Sequence, residues 1–190
     1  MKHKTIRVGL LLVNLCGLAS AANIAYVAKA APGDNTMVGA GKQWPTSRFV
    51  DDVSGNCKID NLTGLMWAKN AGLLGTGTWG TASVAGTAQY KVTQMNIGDS
   101  AEGYHLCGYS DWRLPNQKEL LSLLNYIAAN GNQADWLNDS AQGFNNVQPS
   151  DYWSSTPGGN GAWNVYMLNG SSGSSDLNNA YYVWPVRGGQ

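Results

Sequence analysis

Between Arg48 and Trp67, short apolar runs (Phe49-Val50 and Leu65-Met66-Trp67) alternate with turn clusters at Ser54-Gly55-Asn56 and Asp60-Asn61, a pattern that predicts two or three short strands. From Thr81 to Asn96 the spacing changes. Val84, Ala88, Lys91-Val92 and Met95 fall near i, i+4, i+8 and i+11, one face of a helix broken only by Gly86. A stronger helix signal follows Pro115. Asn116 stands in the N-cap place, Glu119 completes a capping box, and Leu120, Leu123, Leu124 and Ile127 form an apolar stripe that Asn130-Gly131 closes. After Asp151 the period becomes two. Trp163, Val165 and Met167 share one face and Asn164, Tyr166 and Leu168 the other, with Asn169-Gly170 as a hairpin turn. Tyr181 to Arg187 reads as a last strand, which Pro185 confines to an edge or to the strand's end. Strands, two main helices and strands again predict an α+β domain with an antiparallel sheet and long polar loops.

Ahead of this domain the chain reads differently. Residues 1–21 carry Lys2, Lys4 and Arg7, then the mostly apolar run Val8–Leu18, then Ala19-Ser20-Ala21, which together predict a secretory signal peptide. Cleavage is expected after Ala21 or Ala22, with Ala28–Ala31 as a later site. The apolar run falls short of the ~20 residues of a membrane span, and no other stretch qualifies. Leu15 before Cys16 argues against a lipidated cysteine. Residues 22–47 have no helical or strand period and read as a lead-in or linker, leaving 48–190 as the folded domain. Secretion, the periplasm or the cell surface is the expected location.

Composition narrows the function classes. The 190 residues hold 12 Lys+Arg, 12 Asp+Glu, 24 Gly and 8 Trp, too aromatic and too little charged for disorder. Removing residues 1–21 takes three of the basic residues and leaves nine against twelve acids, a balance of −3. Nucleic acid is therefore not an expected partner. The glycines have no sustained collagen period. Two cysteines survive processing, Cys57 and Cys107, and in an oxidising compartment such a pair is expected to form a disulfide, adding about 4 kcal/mol on the chain-entropy view. With His105, they are too few for a structural zinc site.

Candidate catalytic chemistry is sparse. His105 is the one histidine beyond residue 21, and Gly108-Tyr109-Ser110-Asp111 is not a nucleophile elbow. Nothing in the spacing of Asp51, Asp52, Asp60, Asp111, Glu119 and Asp151 selects a glycosidase pair. Asp51, Asp52 and Asp60 could offer oxygens to a structural calcium, but the twelve-residue loop pattern is absent, so neither metal nor cofactor is expected. The phosphate-loop pattern also fails around Gly41-Lys42, where Gln43 replaces the Ser/Thr. No enzyme activity is predicted.

Binding fits better. Five or six of the eight tryptophans are expected in the core, with Trp79 and Trp136 the most exposed. Neutral, amide- and hydroxyl-rich loops around Trp136–Asn146, Pro157–Gly161 and Ser171–Asn179 form the predicted binding rim, with Trp136, Asn145, Asn146, Asn160 and Asn178 as ligand-binding candidates. Asp111, Trp112, Arg113, Glu119 and Arg187 are assigned instead to the core and its polar network, where buried charges must be paired.

Four ordered segments carry a family resemblance: Asp60-Asn61-Leu62-Thr63-Gly64-Leu65-Met66-Trp67; Cys107-Gly108-Tyr109-Ser110-Asp111-Trp112-Arg113-Leu114-Pro115-Asn116 with Glu119-Leu120; Tyr152-Trp153-Ser154-Ser155-Thr156; and Tyr182-Val183-Trp184-Pro185-Val186-Arg187-Gly188-Gly189. Together they resemble the Lcl C-terminal domain family, named for a Legionella collagen-like surface adhesin. The resemblance implies a secreted or cell-surface, non-enzymatic binding domain for an extracellular glycan or protein ligand. A structural or assembly module of a bacterial envelope or appendage complex is the alternative. This chain has no collagen-like stalk, and its −3 balance does not carry over attachment to sulfated polysaccharide. The Arg113-Leu114-Pro115 turn into a helix and the closing Arg187-Gly188-Gly189 are also similar to the sulfatase-modifying-factor family, which implies a C-type-lectin-like fold. That family's activity is not implied, because its late catalytic cysteine pair has no counterpart here.

Overall fold

The computed structural model describes residues 45, 47–127 and 131–188. The predicted signal peptide, almost all of the lead-in, Trp44 and Asn130 lie outside them. In chain order the elements are β1 (Phe49–Asp51), β2 (Cys57–Asp60), β3 (Met66–Ala68), β4 (Thr76–Gly77), α1 (Ala88–Ile97), α2 (Gln117–Ser122) and α3 (Gln133–Asn138). Then follow β5 (Asp151–Gly158), β6 (Gly161–Tyr166), β7 (Ser171–Ser175), β8 (Tyr181–Tyr182) and β9 (Val186–Arg187). The α+β class holds, with strands at both ends and short helices between.

The strands form two sheets rather than the single antiparallel one expected. The first, ordered β1-β2-β3-β9, is antiparallel throughout. The second, β4-β8-β5-β6-β7, contains one parallel pairing, between β5 and β8. The predicted last strand is thus split. Tyr181–Tyr182 lies in the second sheet and Val186–Arg187 in the first, while Val183-Trp184-Pro185 carries the chain across. Pro185 cannot donate to a ladder, but its carbonyl accepts from Ala68 N (3.2 Å), and Trp184 Nε1 donates to Ala68 O (2.8 Å). The proline therefore sits at a strand break.

The helices are shorter than the apolar pattern suggests. α1 starts at Ala88, not Thr81, because Thr87 caps it and the preceding Gly86 has φ +85°, which leaves Val84 exposed in a turn. The capping box of α2 forms as predicted, with Asn116 accepting from Glu119 N and Glu119 from Asn116 N. Its apolar stripe does not run on. Leu120, Leu123 and Leu124 are buried, but Ile127 is exposed. The cause is Gln133, a fully buried amide that accepts from Asn125 N (2.8 Å) and donates to Asn125 O (3.1 Å), replacing helical bonds at that point. A third helix, α3, occupies part of the predicted binding loop, started by Asn132 accepting from Ala134 N and Asp135 N.

Two apolar clusters fill the interior. Trp67, Trp184, Tyr152, Leu120 and Leu137 anchor one, and Cys57, Trp112, Trp153, Val92 and Met95 the other. Among the described residues four tryptophans are buried: Trp67, Trp112, Trp153 and Trp184. Trp79 and Trp136, expected at the surface, are half-buried and pack against these clusters. Trp163 is half-buried too, while Asn164 on the opposite face is buried and donates to Ser175 Oγ (2.7 Å). Burial along β6 alternates from Gly161 to Asn164 and changes phase at Val165, so the strand does not keep one in-out alternation.

Candidate functional site

Four separate stretches of chain meet around one polar cleft of about 300 Å³, whose lining includes Asn56, Lys69, Asn70, Leu73, Leu106 and Asn145. Their placement follows from backbone bonds. Lys69 N donates to Asn56 O (3.0 Å), Asn145 N to Lys69 O (3.0 Å) and Ala71 N to Asn145 O (2.9 Å), tying three walls together. The fourth is fixed covalently: Leu106 precedes Cys107, whose disulfide to Cys57 spans Cα atoms 6.4 Å apart. Sheet one therefore holds Asn56 and Lys69, and the long loops are pinned onto it.

Strain collects at the same place. Among the described residues the non-glycine residues in the left-handed region are His105 (φ 47°), Cys107 (φ 56°) and Asn146 (φ 54°). Two flank Leu106 and the third follows Asn145. Each such conformation costs on the order of 1–3 kcal/mol and persists where the surroundings over-determine it. Asn146 also donates from Nδ2 to Asn70 Oδ1 (3.1 Å), which itself accepts from Gly72 N (3.0 Å).

The charges at the rim are paired, two lysines sharing one carboxylate. Asp51 accepts from Lys58 Nζ (2.9 Å) and Lys69 Nζ (3.0 Å), and these bonds, Lys58's first, hold its carboxyl below the usual range. Asp52 caps the neighbouring turn, accepting from Ser54 N (3.1 Å) and Cys57 N (3.0 Å). Asp60 is buried against Arg48 in a bidentate pair (2.9 and 2.8 Å), and although burial opposes its ionisation, the Arg48 bonds prevail and its pKa is lowered. The three carboxylates considered for calcium are thus engaged with lysines, an arginine or turn amides. Asp52, Cys57 and Cys107 also lie close together, but both sulfurs are in the disulfide and cannot act as thiolate ligands.

Of the predicted ligand-binding residues, the structure brings Asn145 and Asn146 together at this cleft and separates the rest. Trp136 packs edge-on to Phe49, ring centroids 6.2 Å apart. Asn160 lies at the exposed β5–β6 hairpin tip, and Asn178 in a turn where its N donates to Asp176 Oδ1 (2.8 Å). These two share the far end of β5, about 20 Å from the end that follows Asn145 at ~3.3 Å per residue. The loop Ser171–Asn179 is also shorter than expected, since Ser171–Ser175 forms β7. Sequence reasoning missed Asn56, Asn70, Leu73 and Leu106 as cleft residues; the Ser54-Gly55-Asn56 and Asn70-Ala71-Gly72 turns were the local signals.

The scaffold residues form two ion pairs. Arg113 grips Glu119 with both terminal nitrogens (2.8 and 2.7 Å) and donates to Gly188 O (2.7 Å). Glu119's hydrogen bonds raise the Arg113 pKa. Arg187 pairs with Asp111 (2.7 and 3.1 Å) and stacks on Tyr109, lowering the Asp111 pKa through the Arg187 bonds. Trp112 is buried, with Nε1 on Leu106 O (3.1 Å). Asp111 is exposed and Arg113 and Arg187 only partly covered, so the charges border the core rather than enter it. His105 is exposed, stacked on Tyr104, with Nε2 3.2 Å from Asn96 O.

No curated protein matches the chain. Residues 56–187, well over half of it, match the family model described as the Lcl C-terminal domain.

Proposed function

Because the chain belongs to the Lcl C-terminal domain family, we propose that it acts as a non-enzymatic extracellular binding domain, with a glycan as ligand and the Asn145 cleft as its site. The observation that carries this reading is the convergence of three amide side chains, Asn56, Asn70 and Asn145, with two leucines in a braced cleft of about 300 Å³. Amides offer both donors and acceptors to hydroxyls, and leucines can cover a pyranose's C–H face. The volume lies at the small end of ligand cavities, which suits one sugar unit of a longer chain. Lys69 is held toward Asp51, which it shares with Lys58, so it lines the cleft as a fixed rather than a free charge. A C-type-lectin-like arrangement is part of the same proposal, supported by long loops stapled to an α+β core. The disulfide agrees with an oxidising compartment, and no helix among the described residues is long and apolar enough to cross a membrane.

The test is a glycan array followed by calorimetry on the best hit. Asn145 is exposed, so Asn145→Ala should leave the melting temperature within a degree or so while weakening binding about tenfold, the worth of ~1.4 kcal/mol. Unchanged affinity would remove the cleft from the reading.

One observation favours the second reading, an assembly module. β7 is the outer strand of its sheet and carries only serine and glycine, without the charge or proline that commonly blocks strand addition. Capture of an envelope protein that Gly173→Pro abolishes, together with an empty glycan array, would favour assembly over glycan recognition.

A further inference from the structure

A second cleft, of about 370 Å³, is lined by Leu74, the residue next in the chain to Leu73 of the first. Its lining includes Leu74, Tyr90, Lys91, Gln94, Ser100 and Glu102, from one face of α1 and the loop after it. None of these residues belongs to the glycan site proposed above.

The cleft is electrically two-ended. At one wall Lys91 Nζ donates to Leu74 O at 2.8 Å. That carbonyl fixes the ammonium without neutralising it and uses one of its three donors. At the other wall α1 ends at Gly98, with no basic residue in its last turn. The aligned peptides of a ten-residue helix leave partial negative charge at that end; His105 already engages Met95 O through its backbone N (2.9 Å) and lies 3.2 Å from Asn96 O through Nε2, so the Glu102 carboxylate is the main negative group there. The backbone there is ordered, with Gly98 N on Gln94 O and Ala101 N on Gly98 O, both 2.8 Å. Gln94 folds across the helix end, where a Cβ on Gly98 would come within 2.7 Å of its Oε1. Tyr90 and Leu74 supply apolar surface, and Gln94 and Ser100 neutral hydrogen-bonding groups.

We infer that this cleft binds a small zwitterion of amino-acid to dipeptide size, its carboxylate on Lys91 and its ammonium toward Glu102 and the end of α1. A simple anion would meet the repulsive end, and a simple cation would meet Lys91. The volume lies near the lower bound for ligand cavities, which selects a small ligand.

The probes are L-alanine, diglycine, acetate and ethylamine, each titrated to about 10 mM against the isotope-labelled chain and followed by amide NMR, a range that captures a Kd near 1 mM. Saturable shifts confined to residues 90–102 with L-alanine or diglycine, reproduced by neither acetate nor ethylamine, are expected. Response to diglycine alone identifies a peptide as the source, and response to both a free amino acid. Exposed Glu102→Gln should weaken the response about tenfold, and Lys91→Met should abolish it. Should Lys91→Met fail to fold, Glu102→Gln decides. No saturable shift with either zwitterion, an equal response to a half-ligand, or full binding by Glu102→Gln would overturn the inference.

Discussion

Arg48 and Asp60 are the most deeply buried ion pair described, with side chains 1% and 0% exposed, and Arg48 also bonds Ser122 O. Removing one member of such a pair leaves the other charged in a poor solvent, so Asp60→Asn should cost about 3 kcal/mol or more in urea unfolding at neutral pH. The lowered pKa of Asp60 sets the sign of the acid response: its contribution is fully present above the unfolded value of ~4 and is lost as pH falls toward the lower folded value. The variant should lose less stability than wild type across that window. Asp151 has the opposite sign, since burial raises its pKa and penalises the ionised form. Asp151→Asn should therefore raise the melting temperature at pH near 7, with the gain vanishing below pH ~4, where the carboxyl is protonated in both states. Neither role is visible in the chain itself. Arg48, Asp60 and Asp151 look like ordinary surface charges until tertiary structure decides which of them meets a partner.

At the scale of elements, what is encoded within a few residues was legible and what depends on distant partners was not. Asn116 and Glu119 face each other across three residues, so the capping box could be read directly. The end of the same helix is imposed by Gln133, eight residues beyond Asn125, and no periodicity announces it. β7 is a similar case: serine and glycine have little strand propensity, and the segment is extended because β6 presents a free ladder to it. α1 owes its start to Thr87, a buried hydroxyl that accepts from Tyr90 N (3.2 Å) and lies within donating distance of Thr81 O (2.8 Å) and Val84 O (2.9 Å). Thr87→Ala should lower stability by about 1–2 kcal/mol and Thr87→Ser should restore most of it, as followed by thermal melting.

For the whole molecule, the cysteine pair was readable because only two of the three cysteines lie beyond the predicted signal peptide, whereas the cleft was not, because Asn56, Asn70, Leu106 and Asn145 meet only after folding. The disulfide closes a loop of sequence separation 50, for which chain entropy gives about 4 kcal/mol. Reduction, or Cys107→Ser, should lower unfolding free energy by up to about that amount, read from denaturant curves with and without reductant. The crossing at Val183-Trp184-Pro185 bears on when the protein can fold at all. β8 completes the second sheet between β4 and β5, and β9 closes the first against β3, pairing Met66 with Arg187. During synthesis neither sheet can be finished until Tyr181–Arg187 has left the ribosome. The β1-β2-β3 and β5-β6-β7 ladders can pair before that point, but a chain stopped before Tyr181 would leave β3 without β9 and β4 and β5 without β8, so both sheets would stay open at those edges.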